Sequence, residues 1–472
     1  MSRRRSTRAA CVALTVPACL VLGGVAAAAP VAPPTYSPGA AGLGDPYFPT
    51  LGNGGYDAGH YDLTLGYTPA THRLTGTTVM TATATQNLSR FDLDLSGMRV
   101  SSVLVNGVAA TFLQQGEELV VSPRTSLLRG SAFTTSVTYA GVPKTITGSP
   151  IVFGADYGWQ YTPDGAFVGD EPNAAHTWFP SDDHPSDKAT FTVRTTVPRD
   201  TQVIGNGDLL STTTKNGLST YVWDDPSPTA TYLLTVDIGK FLLQHGTTPG
   251  GISETMGYDP DVDVAAANVF GITGSVTDYW SRVFGPYPFS STGAIVDNVP
   301  DVGFSLETQT RPLYGFAADQ GTISHELAHQ WFGDSVSVAT WDDIWLNEGF
   351  ATFAAQYWFE HRGSTDTYTA FKRSWAQIPA SSSFWDQSVA APGRDQMFSG
   401  AVYQRGGMTL AVLRHTIGDG PFFRLLRAWT DQHRYGNADT DQFVALAEQV
   451  SGRDLTQLFQ TWLYAKVKPA TF

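Results

Sequence analysis

Two histidines four residues apart give the clearest chemical signal in the sequence. His325 and His329 belong to the segment His-Glu-Leu-Ala-His, and no proline interrupts the apolar-periodic run over residues 323–332. This pattern predicts a helix that ends at Gly333, and helical residues four apart project from one face. Two imidazoles placed in this way are typical zinc ligands. A catalytic zinc site needs one more protein donor and leaves a position for water.

Two glutamates near this pair could complete such a site. Glu326 lies beside the first histidine, where its carboxylate can take a proton from water held at the metal without being a ligand itself. Glu348 follows His329 by 19 residues, near the start of a second predicted helix that ends at about His361. Glu348 is therefore a candidate for the third donor. The alternative is that two surface histidines lie on an ordinary helix.

The first 29 residues have the order of a secretory signal. An arginine-rich segment through Arg8 precedes an apolar run, Ala9–Val25, and small residues follow at positions 26–29. A single membrane anchor is the alternative, but the run is short and is broken by proline and glycine. Both cysteines, Cys11 and Cys19, lie inside this segment. We therefore expect a secreted protein without disulfides, and no stable membrane association once the signal is removed.

Composition and charge restrict the class of protein further. The 472 residues carry a formal net charge of −14, and 42% of them are apolar. So acidic a chain, without a basic block, is unsuited to nucleic acid or to an anionic membrane. The length and the apolar fraction predict a compact protein with two large domains.

The periodicity of the chain changes near its middle. Apolar residues alternate with polar ones in the first half, as at Tyr61, Leu63 and Leu65, and Asn106-Gly107 predicts a two-residue hairpin turn. From about residue 264, apolar residues recur at helical spacing. We predict a signal peptide over 1–29, a flexible leader over 30–45, an antiparallel β domain over 46–246 and a catalytic domain over 247–472.

We expect Asp182, Asp183 and Asp187 to form a solvated loop.

Taken together, these segments resemble the aminopeptidase N family of zinc metallopeptidases, the gluzincin group that includes leukotriene hydrolase, in a short secreted form. The resemblance implies an α+β multidomain fold, in which an N-terminal antiparallel β domain of saddle or sandwich form precedes a thermolysin-like, mostly helical catalytic domain. It also implies that His325, His329 and Glu348 bind zinc and that Glu326 is the general base. The resemblance rests on residues 325–333 and 345–351, with support from residues 205–209, 285–289 and 437–463.

The same resemblance implies residues that contact substrate. Gly303 and Glu307 belong to a stretch, residues 303–308, where the family has a Gly-Ala-Met-Glu-Asn edge strand, and Glu307 is a suitable partner for a free α-ammonium. Glu171 lies where relatives carry a Gln or Glu that reaches towards the amine. Tyr403 lies in a segment similar to Tyr-x-Lys-Gly and could donate a hydrogen bond to the oxyanion. Phe304 and Thr308 depart from the family pattern at the first side-chain pocket.

The expected function is therefore a secreted zinc aminopeptidase that hydrolyses N-terminal residues from peptides. We expect one Zn²⁺ per chain and a monomer. The sequence ends at Phe472, without the large helical C-terminal region of longer relatives, so we expect a more open cleft. Two alternatives stay open. One is a zinc endopeptidase that does not recognise the amine, and the other is a non-catalytic extracellular binding or scaffold protein.

Overall fold

The computed structural model describes Ala10 and residues 34–262, 268–299, 302–316 and 318–472. Apart from Ala10, the predicted signal peptide therefore lies outside the described residues. Residues 36–472 form one compact unit. Within the described ranges, no helix combines the length and the apolar character that crossing a bilayer would need.

A large twisted sheet dominates the first half of the chain. Tyr61, Leu63, Leu65 and Tyr67 are buried and the residues between them are more exposed, as the alternation predicts. The turn at Asn106-Gly107 is also confirmed, because both residues have positive φ, 48° and 75°. In spatial order the strands of this sheet are Asp208–Lys215, Leu218–Ala230, Lys188–Pro198, Tyr56–Thr68, Arg73–Ala84, Ala132–Gly141, Arg99–Val105 and Val108–Ala109.

The described residues also form four smaller sheets. Although most strand pairs are antiparallel, Lys188–Pro198 runs parallel to Tyr56–Thr68. In spatial order, the first of these smaller sheets comprises Ser37–Pro38, Leu88–Asp94, Glu118–Ser122 and Thr111–Gln115, and the second comprises Thr145–Ile146, Tyr157–Tyr161, Ala166–Gly169, Val236–Gly239 and Gln202–Gly205. The third comprises Leu242–Thr247, Ser253–Tyr258, Ser291–Val296, Leu313–Tyr314 and Ser305–Leu306. The fourth consists of Ser337–Val338 and Asn437–Ala438.

The second half is mainly helical. Apolar residues at helical spacing late in the chain, such as Phe422, Leu425 and Trp429, are buried in its core. This order of a β-rich part and then a helical part confirms the predicted α+β fold class. The α-helices among the described residues are α1 Thr273–Phe284, α2 Gln320–His329, α3 Trp345–His361, α4 Thr367–Gln377, α5 Gly400–Ile417, α6 Asp419–Gln432, α7 Thr440–Ser451 and α8 Thr456–Phe459.

The segment that carries Glu307 packs against the β-rich half. Leu306 and Leu313 belong to the same hydrophobic cluster as the core of the large sheet. The edge strand that the resemblance implies within residues 303–308 is short, since only Ser305–Leu306 pairs, at the edge of its sheet. The predicted domain boundary at 246/247 falls at the end of Leu242–Thr247, which pairs with Ser253–Tyr258. The four sequence ranges given for the domains stay predictions.

The structure corrects the predicted flexible leader. Residues 37 and 38 pair with the strand Leu88–Asp94, and Asp45 is buried. The Asp45 carboxylate accepts hydrogen bonds from the backbone N–H groups of Phe48, at 3.0 Å, and of Trp341, at 2.9 Å. Residues 37–45 are therefore anchored, because a buried carboxylate needs such partners.

The predicted solvated loop is also wrong for two of its three aspartates. Asp182 and Asp183 are 1% and 2% exposed. Asp183 accepts hydrogen bonds from the backbone N–H of His176 and from the hydroxyl of Thr231, and it lies 2.6 Å from the His176 ring. The partners of Asp183 come from other segments, so local sequence gave no sign of this burial.

Candidate metal centre

Helix α2 places the two histidines on one face. It begins where the Asp319 carboxylate accepts a hydrogen bond from the backbone N–H of Thr322, at 2.8 Å, an N-cap that satisfies a free helix donor. Ile323 and Leu327 hold the other face of α2 in the core. The rings of His325 and His329 consequently lie 4.8 Å apart, as the spacing predicts.

Helix α3 brings Glu348 to the histidine pair. Its Oε2 atom lies 3.1 Å from Nε2 of His325 and 3.5 Å from Nε2 of His329. These three side chains form a group whose ligand atoms all lie within 4.8 Å of one another. The structure thus joins residues 23 positions apart at one point, which local spacing alone could not establish.

A backbone carbonyl orients the second imidazole. Nδ1 of His329 lies 3.0 Å from the carbonyl oxygen of Phe332, which can only accept a hydrogen bond. Nδ1 therefore carries a proton, and Nε2 is the ring nitrogen that faces Glu348. Metal-binding histidines commonly have this second hydrogen bond, which sets both the tautomer and the direction of the ring.

Two glycines allow α3 and α5 to lie close together beside the candidate metal ligands. A Cβ on Gly349 would lie 2.9 Å from Cα of Gly406, so neither position has room for a side chain. Glu348 and Tyr403 are carried on these two helices. The ring of Tyr403 stacks on that of His325, with centroids 5.9 Å apart and an angle of 13° between the planes.

A cavity of about 370 Å³ opens beside the histidine pair. His325, Glu326 and Tyr403 line it, together with other residues of α2, α3, α4 and α5. The carboxylate of Glu326 thus faces a space that can hold water and substrate next to the metal ligands.

Two more carboxylates come to the same place from other parts of the chain. Glu171, Glu307 and Glu348 form a second group of oxygen atoms within 4.8 Å of one another, and Glu307, Glu326 and His329 form a third. Glu307 is 2% exposed. Among the described residues, neither Oε1 of Glu171 nor Oε1 of Glu307 has a hydrogen-bond partner. The two substrate carboxylates predicted by resemblance therefore do meet at this site.

The electrostatics of the site follow from burial and from this concentration of acids. Burial and the carboxylates of Glu307 and Glu348 together raise the pKa of Glu171 well above its usual value, and burial likewise raises the pKa of Glu326. Burial also acts to raise the pKa of Glu348, but the charge of His329 and the contacts with both imidazoles outweigh it and hold that pKa at about 2. Glu348 is thus the carboxylate most firmly held as an anion.

The residues at this site fit a zinc ion. The donor set of two imidazole nitrogens and one carboxylate oxygen is the one that zinc enzymes use when a position is left for water. Four glutamates converge here. The positive charge of His329 acts to lower the pKa of Glu171, Glu307 and Glu326. Buried carboxylates in such number need cations to compensate them.

Gly303 is a predicted substrate-binding residue that lies apart from the candidate metal-binding group. It is exposed, has a φ of +74° and lies just before the edge strand Ser305–Leu306. We find no contact between Gly303 and the metal-binding group in the described part of the chain. Its assignment as a substrate-binding residue stays a prediction.

Sequence reasoning missed several polar residues that hold the site from behind. Gln330 and Asp334 are fully buried, and Nε2 of Gln330 donates to Oδ2 of Asp334 at 2.6 Å. Nζ of Lys188, in the large sheet, donates to the carbonyl oxygens of Asp334 and Ser335 at 2.6 and 3.1 Å. The one feature of the sequence that could have pointed to this group is that Gln330 directly follows His329, a predicted metal ligand.

Comparison with protein families assigns both halves of the chain. The Peptidase M1 N-terminal domain matches residues 58–233, and the Peptidase family M1 domain matches residues 314–462. Aminopeptidase A of Gloydius brevicauda is 27% identical over 412 residues, which are 78% of this chain and 41% of that protein. The chain spans less than half the length of the curated relatives that it matches most strongly.

Solved structures match over nearly their whole length. The M1 zinc metallopeptidase from Deinococcus radiodurans is 30% identical, with a TM-score of 0.83, and the match covers 91% of this chain and 98% of that one. A mutant M1 zinc metallopeptidase from the same organism, bound to a Tyr-Ser-Ala substrate, matches with the same identity, score and coverage.

Proposed function

This chain belongs to peptidase family M1, and we propose that it is a zinc-dependent aminopeptidase that removes residues from the N-termini of peptides. One observation carries the proposal. The candidate zinc ligands His325, His329 and Glu348 lie next to the half-buried carboxylate of Glu171 and the buried carboxylate of Glu307, each of which has an oxygen without a hydrogen-bond partner in the described chain. The first group fits a metal and the second fits an ammonium.

The roles in hydrolysis follow from position. Bound zinc would polarise the scissile carbonyl and make water more acidic. Glu326 lines the cavity beside the ligands, so its carboxylate can accept the proton of the attacking water and pass it to the leaving amine. Tyr403 lines the same cavity, and its hydroxyl can donate to the oxygen of the scissile carbonyl as negative charge develops there.

Recognition of a free N-terminus is assigned to Glu307, together with Glu171. An α-ammonium between these carboxylates would give both free oxygens a charged donor, and such hydrogen bonds are about twice as strong as neutral ones. The substrate then enters with its first peptide bond near the metal ligands. This arrangement removes one residue at a time, because a chain without a terminal amine would leave buried carboxylates unpaired.

The substitution Glu307→Gln tests amine recognition. It keeps the size of the side chain and removes the charge, so we expect kcat/KM for an aminoacyl anilide to fall about 30-fold or more, which corresponds to ~2 kcal/mol. Hydrolysis of the matching N-acetylated substrate, slow in the wild type, should change little. Steady-state kinetics on the two substrates give both values.

The same pair of substrates separates the alternatives. Equal cleavage of free and N-acetylated peptides by the wild-type enzyme would indicate an endopeptidase and would contradict the role given to Glu307. Stoichiometric zinc without hydrolysis of any substrate in a broad aminoacyl panel would instead indicate a binding or scaffold protein.

The substitution Tyr403→Phe tests the oxyanion donor. Loss of one such donor typically lowers kcat by about 100- to 1000-fold, and we expect a fall of that order with KM little changed. The ring, and with it the stacking on His325, is retained. Unchanged kcat would show that the Tyr403 hydroxyl does not take part.

Two further proposals concern stoichiometry and compartment. We propose one zinc ion per chain, because any two of the three candidate metal groups have one residue in common (His329, Glu307 or Glu348), so that the groups describe one place. We propose secretion on the sequence of residues 1–29 alone. N-terminal sequencing of exported protein tests it, and a retained N-terminus or an intracellular enzyme would contradict it.

A further inference from the structure

The backbone that follows Glu307 is held in an unusual conformation. Thr310 has a φ of +70°, in the left-handed region that β-branched residues rarely adopt. Such a conformation costs roughly 1–3 kcal/mol and persists only where its surroundings fix it. The direction of the Glu307 carboxylate therefore depends on what holds residues 307–311.

Gln330 holds this segment from the side of the zinc helix. It directly follows His329 and is fully buried. Its Oε1 atom accepts a hydrogen bond from the backbone N–H of Thr310 at 2.8 Å, and its Nε2 donates to the backbone carbonyl of Glu307 at 3.2 Å. One side chain thus contacts both ends of the turn that carries Glu307.

The orientation of the Gln330 amide is fixed in turn. Nε2 also donates to Oδ2 of Asp334 at 2.6 Å. Asp334 is anchored by its own backbone, which donates to the carbonyl of His329 at 3.0 Å and accepts from Lys188. A flip of the Gln330 amide would direct Oε1 at the Asp334 carboxylate and the Glu307 carbonyl, which are also acceptors, and Nε2 at the backbone N–H of Thr310, which is a donor.

The β-rich half holds the opposite side of the segment. Asn206 belongs to residues 205–209, one of the segments on which the family resemblance rests. Its Nδ2 donates a hydrogen bond to the backbone carbonyl of Gln309 at 2.7 Å. The hydroxyl of Thr310 accepts from the backbone N–H of Gly207 at 2.9 Å. The guanidinium of Arg311 donates to the carbonyls of Gly205 and Gly207 at 2.7 and 2.6 Å.

We propose that Gln330 is a positioning residue for amine recognition, which fixes the turn behind Glu307 to the end of the zinc helix so that the ammonium and metal sites keep a set separation. The inference rests on the proposed function. Gln330 touches neither substrate nor metal and acts through Glu307. Loss of its amide should therefore weaken the recognition of the amine and leave zinc binding intact.

The test compares two ligands of the zinc-loaded enzyme by calorimetry. One is the L-amino acid released from the best substrate of an aminoacyl anilide panel, and the other is the carboxylic acid that lacks its α-amino group. In Gln330→Met, which keeps the length of the side chain, we expect the preference for the amino acid to fall by about 10- to 30-fold, and by no more than in Glu307→Gln, which removes the charge itself. Binding of the desamino acid and the zinc content should stay at wild-type values.

A second variant guards against loss of folding. The double variant Gln330→Glu with Asp334→Asn restores a hydrogen bond between positions 330 and 334 but still lacks the donor to the Glu307 carbonyl. We expect the same loss of preference in it. Gln457→Glu, at an exposed glutamine on α8, is the matched control and should behave as the wild type.

The outcomes are distinct. A preference retained in both Gln330 variants, while Glu307→Gln loses it, overturns the positioning role. Equal weakening of both ligands, or loss of zinc, shows a merely structural role and overturns it as well. A preference retained in Glu307→Gln would instead contradict the amine assignment of the proposed function, and this inference with it.

Discussion

Glu326→Gln is expected to keep its zinc and to lose turnover, with kcat lower by about 100- to 10,000-fold. The substitution preserves the size of a side chain that is 7% exposed, so the surrounding core is undisturbed. It removes the carboxylate that we propose to accept the proton of the attacking water. Because Glu326 lies outside the group formed by His325, His329 and Glu348, the metal donors are unchanged. Zinc content by plasma emission spectroscopy and kcat on an aminoacyl anilide measure the two quantities.

A control on a distant helix makes this result specific. Asp431→Asn, at an exposed residue of α6, removes a carboxylate of similar kind and should leave both zinc content and kcat at wild-type values. Zinc-replete Glu326→Gln protein with a wild-type rate would remove Glu326 from the mechanism. Loss of zinc together with turnover would show that this carboxylate supports the metal rather than the proton transfer.

The sequence could predict the zinc helix because its information is local. Helical spacing places His325 and His329 on one face, and a glycine ends the run, so composition and periodicity suffice. The alternation that buries Tyr61 and Leu63 and the turn at Asn106-Gly107 are local in the same sense. Patterns of this kind are fixed by backbone geometry within a few residues.

Other features depend on partners distant in the chain. Gln330 could be seen only as the residue after a ligand, since its partners Glu307 and Thr310 lie 20 or more positions away. Asp45 was predicted to lie in a flexible leader, and its local sequence gives no sign of the hydrogen bond from the backbone N–H of Trp341, which is 296 residues distant. Tertiary hydrogen bonds of this kind leave no periodic trace in the sequence.

The assignment of Glu171 shows how far resemblance can extend local reasoning. Its position nine residues before Pro180 suggested contact with substrate, although nothing local distinguishes it from a loop carboxylate. The structure brings an oxygen of Glu171 within 4.8 Å of oxygens from Glu307 and Glu348. The resemblance therefore identified a tertiary contact that spacing could not, whereas the role of that contact awaits the kinetic tests.

Glu348→Gln is expected to lose both zinc and activity. Oε2 of Glu348 is the atom that both imidazoles face, at 3.1 and 3.5 Å, and a neutral amide oxygen in its place is a weaker ligand. Loss of a residue that merely supports a ligand costs about 10- to 100-fold in metal affinity, so we expect a decrease of more than 100-fold here. Competition with a chromophoric chelator measures the zinc affinity directly.

Thermal stability gives an independent measure of the same ligand. Zinc that binds only the folded protein raises the free energy of unfolding by about 2.7 kcal/mol when free zinc is 100 times its Kd. The Tm of the wild type should therefore fall on addition of chelator, whereas the Tm of Glu348→Gln should hardly respond. Glu348→Asp keeps the charge but is one methylene shorter, so it should bind zinc with intermediate affinity. Wild-type zinc affinity in Glu348→Gln would show that the convergence of these three side chains is not a metal site, and the proposed hydrolysis would then lose its basis.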